Sequence, residues 1–292
     1  MTLIPFDDRD GFIWMDGKML PWRDAKIHVL THGLHYGSSV FEGVRAYGGT
    51  IFKLREHTER LLKSAELLGF TIPYSLEELE KAQIEIIAKN NLKNAYLRPV
   101  AWRGSEMMSV SAQKSKIHVA IATWDWPAMF KKEVAERGIK LQLSAWTRPA
   151  PNMAPTASKA AGLYMICTMS KHNAEAAGFD DAMMLDYRGY IAEATGANMF
   201  FVMGGELHTP TADCFLNGIT RRTVMDLAKK RGIKVVERHI KPEELSKVSE
   251  TFLVGTAAEV TPIGQIGDQN FAVGPITKQL MADYSERVTQ PS

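Results

Sequence analysis

PNMAPTASKAAGLYM, residues 151–165, carries a single charged side chain, Lys159, and no other charge occurs between Arg148 and Lys171. Its neighbours Ala157, Ser158, Ala160, Ala161 and Gly162 are all small. A lysine on a solvated surface normally keeps company with other charges. In a buried segment, desolvation disfavours the ammonium and lowers its pKa, which makes a neutral amine available for imine chemistry. The competing account is a surface lysine in a loop of small residues, and the rest of the chain has to decide between the two.

Upstream of this stretch, Ile139, Leu141 and Leu143 alternate with Lys140, Gln142 and Ser144, the pattern of a half-buried strand. Downstream, Leu163, Ile166, Met169 and Asn173 to Ala177 continue as a helix that Gly178 stops. Ala182–Asp186 and Tyr190–Ala192 flank Arg188-Gly189, and Asn198–Met203 and Glu206–Thr209 flank Gly204-Gly205. These predict consecutive hairpins of an antiparallel sheet. Glu193 ends a strand and, taken alone, reads as a solvated turn residue. Asn217-Gly218-Ile219-Thr220 opens a helix running to Arg231, whose free amides and positive dipole end favour a phosphate, although many helices begin Gly-x-Thr. The strand Thr251–Val254 ends in Gly255-Thr256-Ala257-Ala258, small residues that let backbone amides approach an anion. A last helix covers 275–284.

In the first half, Asp16-Gly17 predicts a tight hairpin between short strands. Residues 27–45, IHVLTHGLHYGSSVFEGVR, include His28, His32 and His35. Without the glutamate of an HExxH pattern, and with glycines interrupting any helix, these read as hydrogen-bonded loop histidines and no metal site is expected. Leu61, Ala65 and Leu68 recur at helical spacing before Gly69, and on that spacing Arg60 is an exposed helix arginine. Ser75 and Glu78 form a capping-box signature for a second helix with Leu79, Ala82 and Ile86 on one face. AYLRPVAW, 95–102, predicts a strand with Tyr96, Arg98 and Val100 on one side, and the apolar run 117–124 an inner strand. Aromatic and proline residues then break the pattern. The expected organisation is an α/β domain over 1–125, a linker over 126–134 and a larger domain over 135–292.

Composition narrows the function. The 292 residues include 35 basic and 33 acidic side chains, a net charge of +2 that argues against a nucleic-acid groove or a polybasic membrane face. Two cysteines, Cys167 and Cys214, lack metal or redox spacing and suit a reducing cytoplasm. The opening MTLIPFDDRDGF is acidic where a signal peptide would be basic, and no apolar run approaches the roughly 20 residues of a membrane span. GxGxxG, GxxxxGK[ST] and GxSxG are all absent.

Individually modest, the motifs are specific in their order. HYGSSVFEGVR (35–45), AYLRPV (95–100), the lysine stretch, YIAEATGANMF (190–200), NGITR (217–221) and GTAAEVTP (255–262) together resemble the branched-chain amino-acid aminotransferases, over about residues 12–284. The resemblance implies the α/β (α+β) fold type IV of pyridoxal-phosphate enzymes, a small α/β domain beside a larger one with a barrel-like antiparallel sheet. It implies that Lys159 holds pyridoxal 5'-phosphate covalently and serves as acid and base. Glu193 would pair with the pyridine nitrogen and Tyr164 with the phenolic oxygen. Arg60, Ile219, Thr220 and Thr256 would hold the phosphate.

On the substrate side the same resemblance gives Tyr96 with the amides of Thr256 and Ala257 to the α-carboxylate. Phe41, Gly43 and Tyr164 would wall the side-chain pocket, completed by Tyr36 and Val110 from a neighbouring subunit of a homodimer or higher homo-oligomer. Arg98 would take the distal carboxylate of glutamate, and would meet water or Tyr36 when leucine is bound, since an unpaired buried arginine is costly. Two positions depart from the family pattern. Ala197 stands where glutamate is frequent, and Met129 where tyrosine is common, unless Phe130 is the match. The implied reaction is ping-pong amino transfer between leucine, isoleucine or valine and 2-oxoglutarate. D-amino-acid aminotransferase and aminodeoxychorismate lyase are the alternatives within the fold. A non-catalytic binding protein would have to lack Lys159, Glu193 or Arg60, and all three are present.

Overall fold

The computed structural model describes residues 4–126 and 132–290, so Met129 and Phe130 lie outside the described residues. These residues form two compact units, one of 4–126 with 158–162 and one of 132–157 with 163–290. The five residues around Lys159 thus pack with the first unit although they come from the middle of the chain.

In the first unit, strands β1 (Phe12–Met15) and β2 (Lys18–Pro21) are joined by Asp16 and Gly17, both at positive φ (48° and 83°). That is the backbone a two-residue hairpin requires. Short helix α1 (His32–Tyr36) leads to β3 (Ser39–Phe41), β4 (Val44–Tyr47) and β5 (Thr50–Ile51). Helices α2 (Leu54–Leu67) and α3 (Leu76–Lys89) follow, then the long strands β6 (Ala95–Arg103) and β7 (Ile117–Asp125). The sheet order is β2-β1-β7-β6-β4-β5, with β3 also on β6. The α3 N-terminus carries the full capping box, Ser75 Oγ accepting from the Glu78 amide and Glu78 from that of Ser75. Leu61, Ala65, Leu79, Ala82 and Ile86 pack with Val44, Leu97, Val119 and Ile121 in one core.

Strands β3 and β4 pair successively with β6, and the break between them is Glu42-Gly43. There the Glu42 amide donates to Pro99 O at 2.8 Å. Glu42 shares its face of the chain with Val40 and Val44, both in the core, so alternation turns its side chain inward.

The second unit begins with α4 (Lys132–Arg137) and β8 (Ile139–Leu143), continuing through α5 (Met165–Ala176), β9 (Asp181–Leu185), β10 (Ile191–Ala194), β11 (Asn198–Met203) and β12 (Glu206–Pro210). Then come α6 (Ile219–Lys230), β13 (Val235–Arg238), β14 (Glu250–Gly255), β15 (Glu259–Ile266), β16 (Gln269–Asn270) and α7 (Pro275–Thr289). Strands β10-β9-β8-β15-β14-β11 form a run that the β10–β11 pairing closes into a barrel. Closure occurs at Glu193↔Asn198.

All six residues of β11, NMFFVM, are buried, because one face looks into the barrel core and the other lies beneath covering elements. The predicted hairpins at Arg188-Gly189 and Gly204-Gly205 are antiparallel, but the sheet is not antiparallel throughout. Strand β8 is parallel to both β9 and β15, and β13 is parallel to β12. Alternation along β8 fixes its faces and leaves its partners open.

Candidate active site

The first unit gathers one group of the expected residues. Lys159 is half-buried between buried Ser158 and Ala160. Its amide donates to Ser64 Oγ at 3.0 Å, and its carbonyl accepts from the Phe41 amide at 3.1 Å. The Lys159 ammonium lies 5.0 Å from the Phe41 ring centroid, and the Arg98 guanidinium 4.8 Å from the same centroid. Tyr96 Oη accepts a long, 3.4 Å bond from Arg98 Nη2. A Cβ on Gly43 would overlap that hydroxyl, so glycine is needed for Tyr96 to sit there. Phe41, Gly43, Tyr96, Arg98 and Lys159 are therefore one cluster.

Within this chain Arg98 meets Tyr96. Positions i and i+2 of a strand share a face, which supplies the nearer partner. The Arg98 Nε is buried with no hydrogen-bond partner among the described residues.

Arg60 is not the exposed residue its spacing predicts. Its Nε and Nη2 reach Glu42 Oε1 and Oε2 at 2.6 and 2.9 Å, and His57 Nδ1 meets Glu42 Oε2 at 2.7 Å. Burial by itself would raise the Glu42 pKa, but the Arg60 charge and the His57 bond outweigh it and hold the carboxyl well below the ordinary range. Burial likewise pushes His57 below its ordinary value, against the pull of Glu42, so the ring is neutral at pH 7 and donates its Nδ1 proton to the carboxylate.

The second unit holds the other group. Glu193 Oε1 lies 3.3 Å from Arg148 Nε, and Glu193 Oε2 accepts from Asn198 Nδ2 at 3.3 Å. Asn198 Nδ2 also donates to Leu216 O at 3.0 Å, linking the carboxylate to the loop before α6. Gly218 is the N-cap of α6 and no side chain caps that end, so the first-turn amides of Ile219 and Thr220 stand at an uncapped dipole terminus. A Cβ at Gly218 would overlap Asn198 Oδ1.

Arg221, 1% exposed, braces this terminus through Thr209, Pro210, Asn217 and Glu237. Thr256 and Ala257 form part of the three-residue turn between paired Gly255 and Glu259, with Glu259 at φ 52°. Tyr164, half-buried, ends the 3-10 turn Ala161–Tyr164.

The three early histidines each bond locally: His28 Nδ1 with the Leu30 amide, His32 with Ser38 Oγ and Ser109 O, His35 Nε2 with Val29 O. Tyr36 stacks on His32 at 4.6 Å and is 48% exposed, and Val110 is 84% exposed. The one cluster of possible metal-ligand side chains among the described residues, Asp186, Asp213 and Cys214, is bridged by Arg188.

A family model described as "Amino-transferase class IV" matches residues 39–266, a span that contains Glu42, Arg60, Lys159 and Glu193. The chain belongs to the class IV aminotransferases. Among class IV relatives, a "Branched-chain-amino-acid aminotransferase" of Pseudomonas aeruginosa is 44% identical over 289 residues, covering 97% of this chain and 94% of the relative. One from Escherichia coli K12 is 41% identical over 284 residues, covering 94% and 91%. Two solved structures are similar. A T.th. branched-chain amino acid aminotransferase with pyridoxamine 5'-phosphate has TM-score 0.94 at 38% identity, covering 97% of this chain and 96% of that one. An E. coli branched-chain aminotransferase structure has TM-score 0.92 at 40% identity, covering 96% and 95%.

For this class IV aminotransferase, sequence reasoning missed Glu42, His57, Ser64 and Arg148. Their only signal was position: Glu42 lies beside Phe41 in a quoted motif, and His57 and Ser64 lie one turn either side of Arg60. Arg148 was seen only as the edge of an uncharged stretch.

Proposed function

We propose that this chain transfers the amino group between leucine, isoleucine or valine and 2-oxoglutarate, with pyridoxal 5'-phosphate as cofactor. The observation that carries this reading is the chemistry of the two groups of residues within the span matched by the class IV family. The first offers an amine, Lys159, over Phe41, and an arginine, Arg60, braced by Glu42. The second offers a carboxylate beside a buried arginine and an uncapped helix N-terminus behind a glycine that cannot carry a Cβ. An amine, a cationic phosphate donor set and a carboxylate for a ring N–H fit an aldehyde-bearing phosphorylated pyridine.

Arg60 and the amides of Ile219 and Thr220, with Thr256, would hold the phosphate. Glu193 would accept from the pyridinium N–H. Burial tends to lower the pKa of Arg148, but Glu193 outweighs that and raises it, so a positive charge stands 3.3 Å from the carboxylate. Tyr164 would donate to the phenolic oxygen. When bound, the cofactor supplies an electron sink for negative charge developing at the substrate Cα.

Lys159 Nζ would take the proton from Cα and return it at C4′, one amine serving as base and then acid. The Tyr96 hydroxyl accepts from Arg98 and so points its own proton away, toward a substrate α-carboxylate held also by the Thr256 and Ala257 amides. Arg98, lying over Phe41, would bind the distal carboxylate of 2-oxoglutarate while the ring lines the path of an aliphatic side chain.

Exposed Ile27, Val29, Leu30, Leu34, Tyr36 and Val110 form an apolar surface of the first unit that suits a second copy of this chain, making the enzyme a homodimer. Cys167 and Cys214 are free and buried, which fits a cytoplasmic enzyme, and no helix among the described residues is long and apolar enough to cross a membrane.

Mixing the cofactor-loaded protein with L-leucine should convert its absorbance to the pyridoxamine form, with D-alanine inactive. No change with any branched-chain amino acid refutes the reading. Lys159→Ala should fold, bind cofactor without covalent attachment and lose at least about 10⁴-fold in turnover, the upper range for a general acid–base.

A further inference from the structure

Residues 158–162, from the second half of the described chain, group with the first unit, and they are nearly devoid of long side chains that could hold them there. Ala160, Ala161 and Gly162 end at Cβ or before it. Gly162 approaches Gly37 so closely that a Cβ on Gly37 would lie 3.2 Å from its Cα. Such residues have no long side chain to anchor them, so the directional contacts that fix the position of the segment are hydrogen bonds.

Helix α2 supplies these at one residue. The Lys159 amide donates to Ser64 Oγ at 3.0 Å, and Ser158 Oγ donates to Ser64 O at 2.9 Å. On the other side the Phe41 amide donates to Lys159 O at 3.1 Å, and Val40 bridges Ala160. Ser64 has 0% exposure and Ser158 1%. A serine in a buried helix interior gives up helix propensity relative to alanine, and alanine would fill the same space. Its hydroxyl therefore has a task, and the acceptor role toward Lys159 is the one in view.

We propose that Ser64 is a positioning residue that fixes the root of Lys159, and through one turn of α2 fixes the spacing between the reactive amine and Arg60. The proposal rests on the reading of Lys159 as the acid–base amine. A lysine stem has four rotatable carbons, so a shift of its Cα moves Nζ off the proton-transfer line without altering its chemistry. The helix that carries Arg60 at position i carries Ser64 at i+4, on the same face, so a rigid element sets both ends. Glu42 clamps the Arg60 end, and Ser64 clamps the lysine end.

The test uses Ser64→Ala in the cofactor-loaded full chain. Single-turnover conversion with L-leucine should slow by about 10- to 100-fold, the cost of a misplacement on the order of 1 Å. The isotope effect with Cα-deuterated leucine should rise, because proton transfer by Lys159 becomes more rate-limiting. Cofactor affinity, measured by reconstituting the apoprotein, should stay within about threefold, since the Lys159 amine and all phosphate donors remain. Unchanged rate and isotope effect overturn the proposal, as does a rate loss that merely follows weaker cofactor binding.

Should Ser64→Ala fail to fold, Ser64→Cys keeps the volume with a poorer acceptor. It should show the same isotope-effect increase at smaller amplitude, and wild-type values there overturn the proposal. Borohydride reduction and peptide mapping of the wild-type protein separate the two levels of argument. Label on Lys159 with indifferent Ser64 variants defeats this inference alone, whereas label on another residue defeats the underlying reading as well.

Discussion

Each unit contains a carboxylate set against an arginine, and the two pairs are built differently. Glu42, with 1% side-chain exposure, is gripped by both Nε and Nη2 of Arg60 and by His57, all within 2.9 Å. Glu193, with 12% side-chain exposure, lies 3.3 Å from Arg148 and accepts a 3.3 Å bond from Asn198. The short, bidentate pair is geometry held fixed: the carboxylate serves to orient the arginine. In the longer pair the arginine sets a positive charge beside the carboxylate without gripping it, which leaves the carboxylate free to meet the ring N–H proposed above. Similar residue types thus carry opposite roles, decided by which partner is enclosed.

That contrast breaks or stands on matched substitutions. Glu193→Gln should slow the leucine half-reaction by about 10²- to 10³-fold, as for loss of one aligned electrostatic group, with little change in unfolding stability. Glu42→Gln should behave the other way. Leaving Arg60 and His57 without their anion should cost about 3 kcal/mol of stability, measured by denaturant unfolding. Cofactor-saturated turnover should fall much less. If both variants lose mainly rate, or both mainly stability, the two pairs are not distinct.

A smaller effect tests the substrate side of the first unit. Arg98→Gln should raise the KM for 2-oxoglutarate by about 30-fold, the worth of a charge-assisted bond, while the KM for leucine moves within about threefold. Equal changes for both substrates would mean that Arg98 merely supports Tyr96.

Acidity sharpens the comparison further. Folding lowers the His57 pKa from its ordinary 6.5, so the unfolded chain binds the proton first and stability falls as pH drops below about 6.5. Glu42, also lowered, from an ordinary 4.5, adds a second loss as pH falls below about 4.5. Above pH 7 both contributions are complete. Thermal unfolding followed against pH should show the upper limb vanish in His57→Gln and the lower limb vanish in Glu42→Gln. A wild-type profile flat from pH 7 to 5 would remove His57 from the account.

Much of the local structure was readable in advance because its causes are local. Asp16-Gly17 takes the positive-φ pair that a tight hairpin needs, and Ser75 with Glu78 closes a capping box three residues apart. Strand β11 ends where Gly204-Gly205 forces a turn. What stayed hidden depends on residues distant in sequence. Glu42 is 18 residues from Arg60, and Ser64 is 95 from Lys159. No periodicity encodes such meetings. Arg60 shows the limit clearly: helical spacing makes it an exposed residue, and only the packing of α2 against the segment between β3 and β4 brings a carboxylate to it.

The sequence by itself determined the elements, the turns between them and, through the order of its motifs, the family. Tertiary structure alone decided partners: β8 inserts parallel between β9 and β15, the barrel closes at Glu193 and Asn198, and Lys159 is tied to α2 and not to its neighbours in the chain. The reason is physical. Backbone preferences are set by a few adjacent residues, whereas the pairing of buried polar groups is set by which surfaces the packed core brings within hydrogen-bond reach.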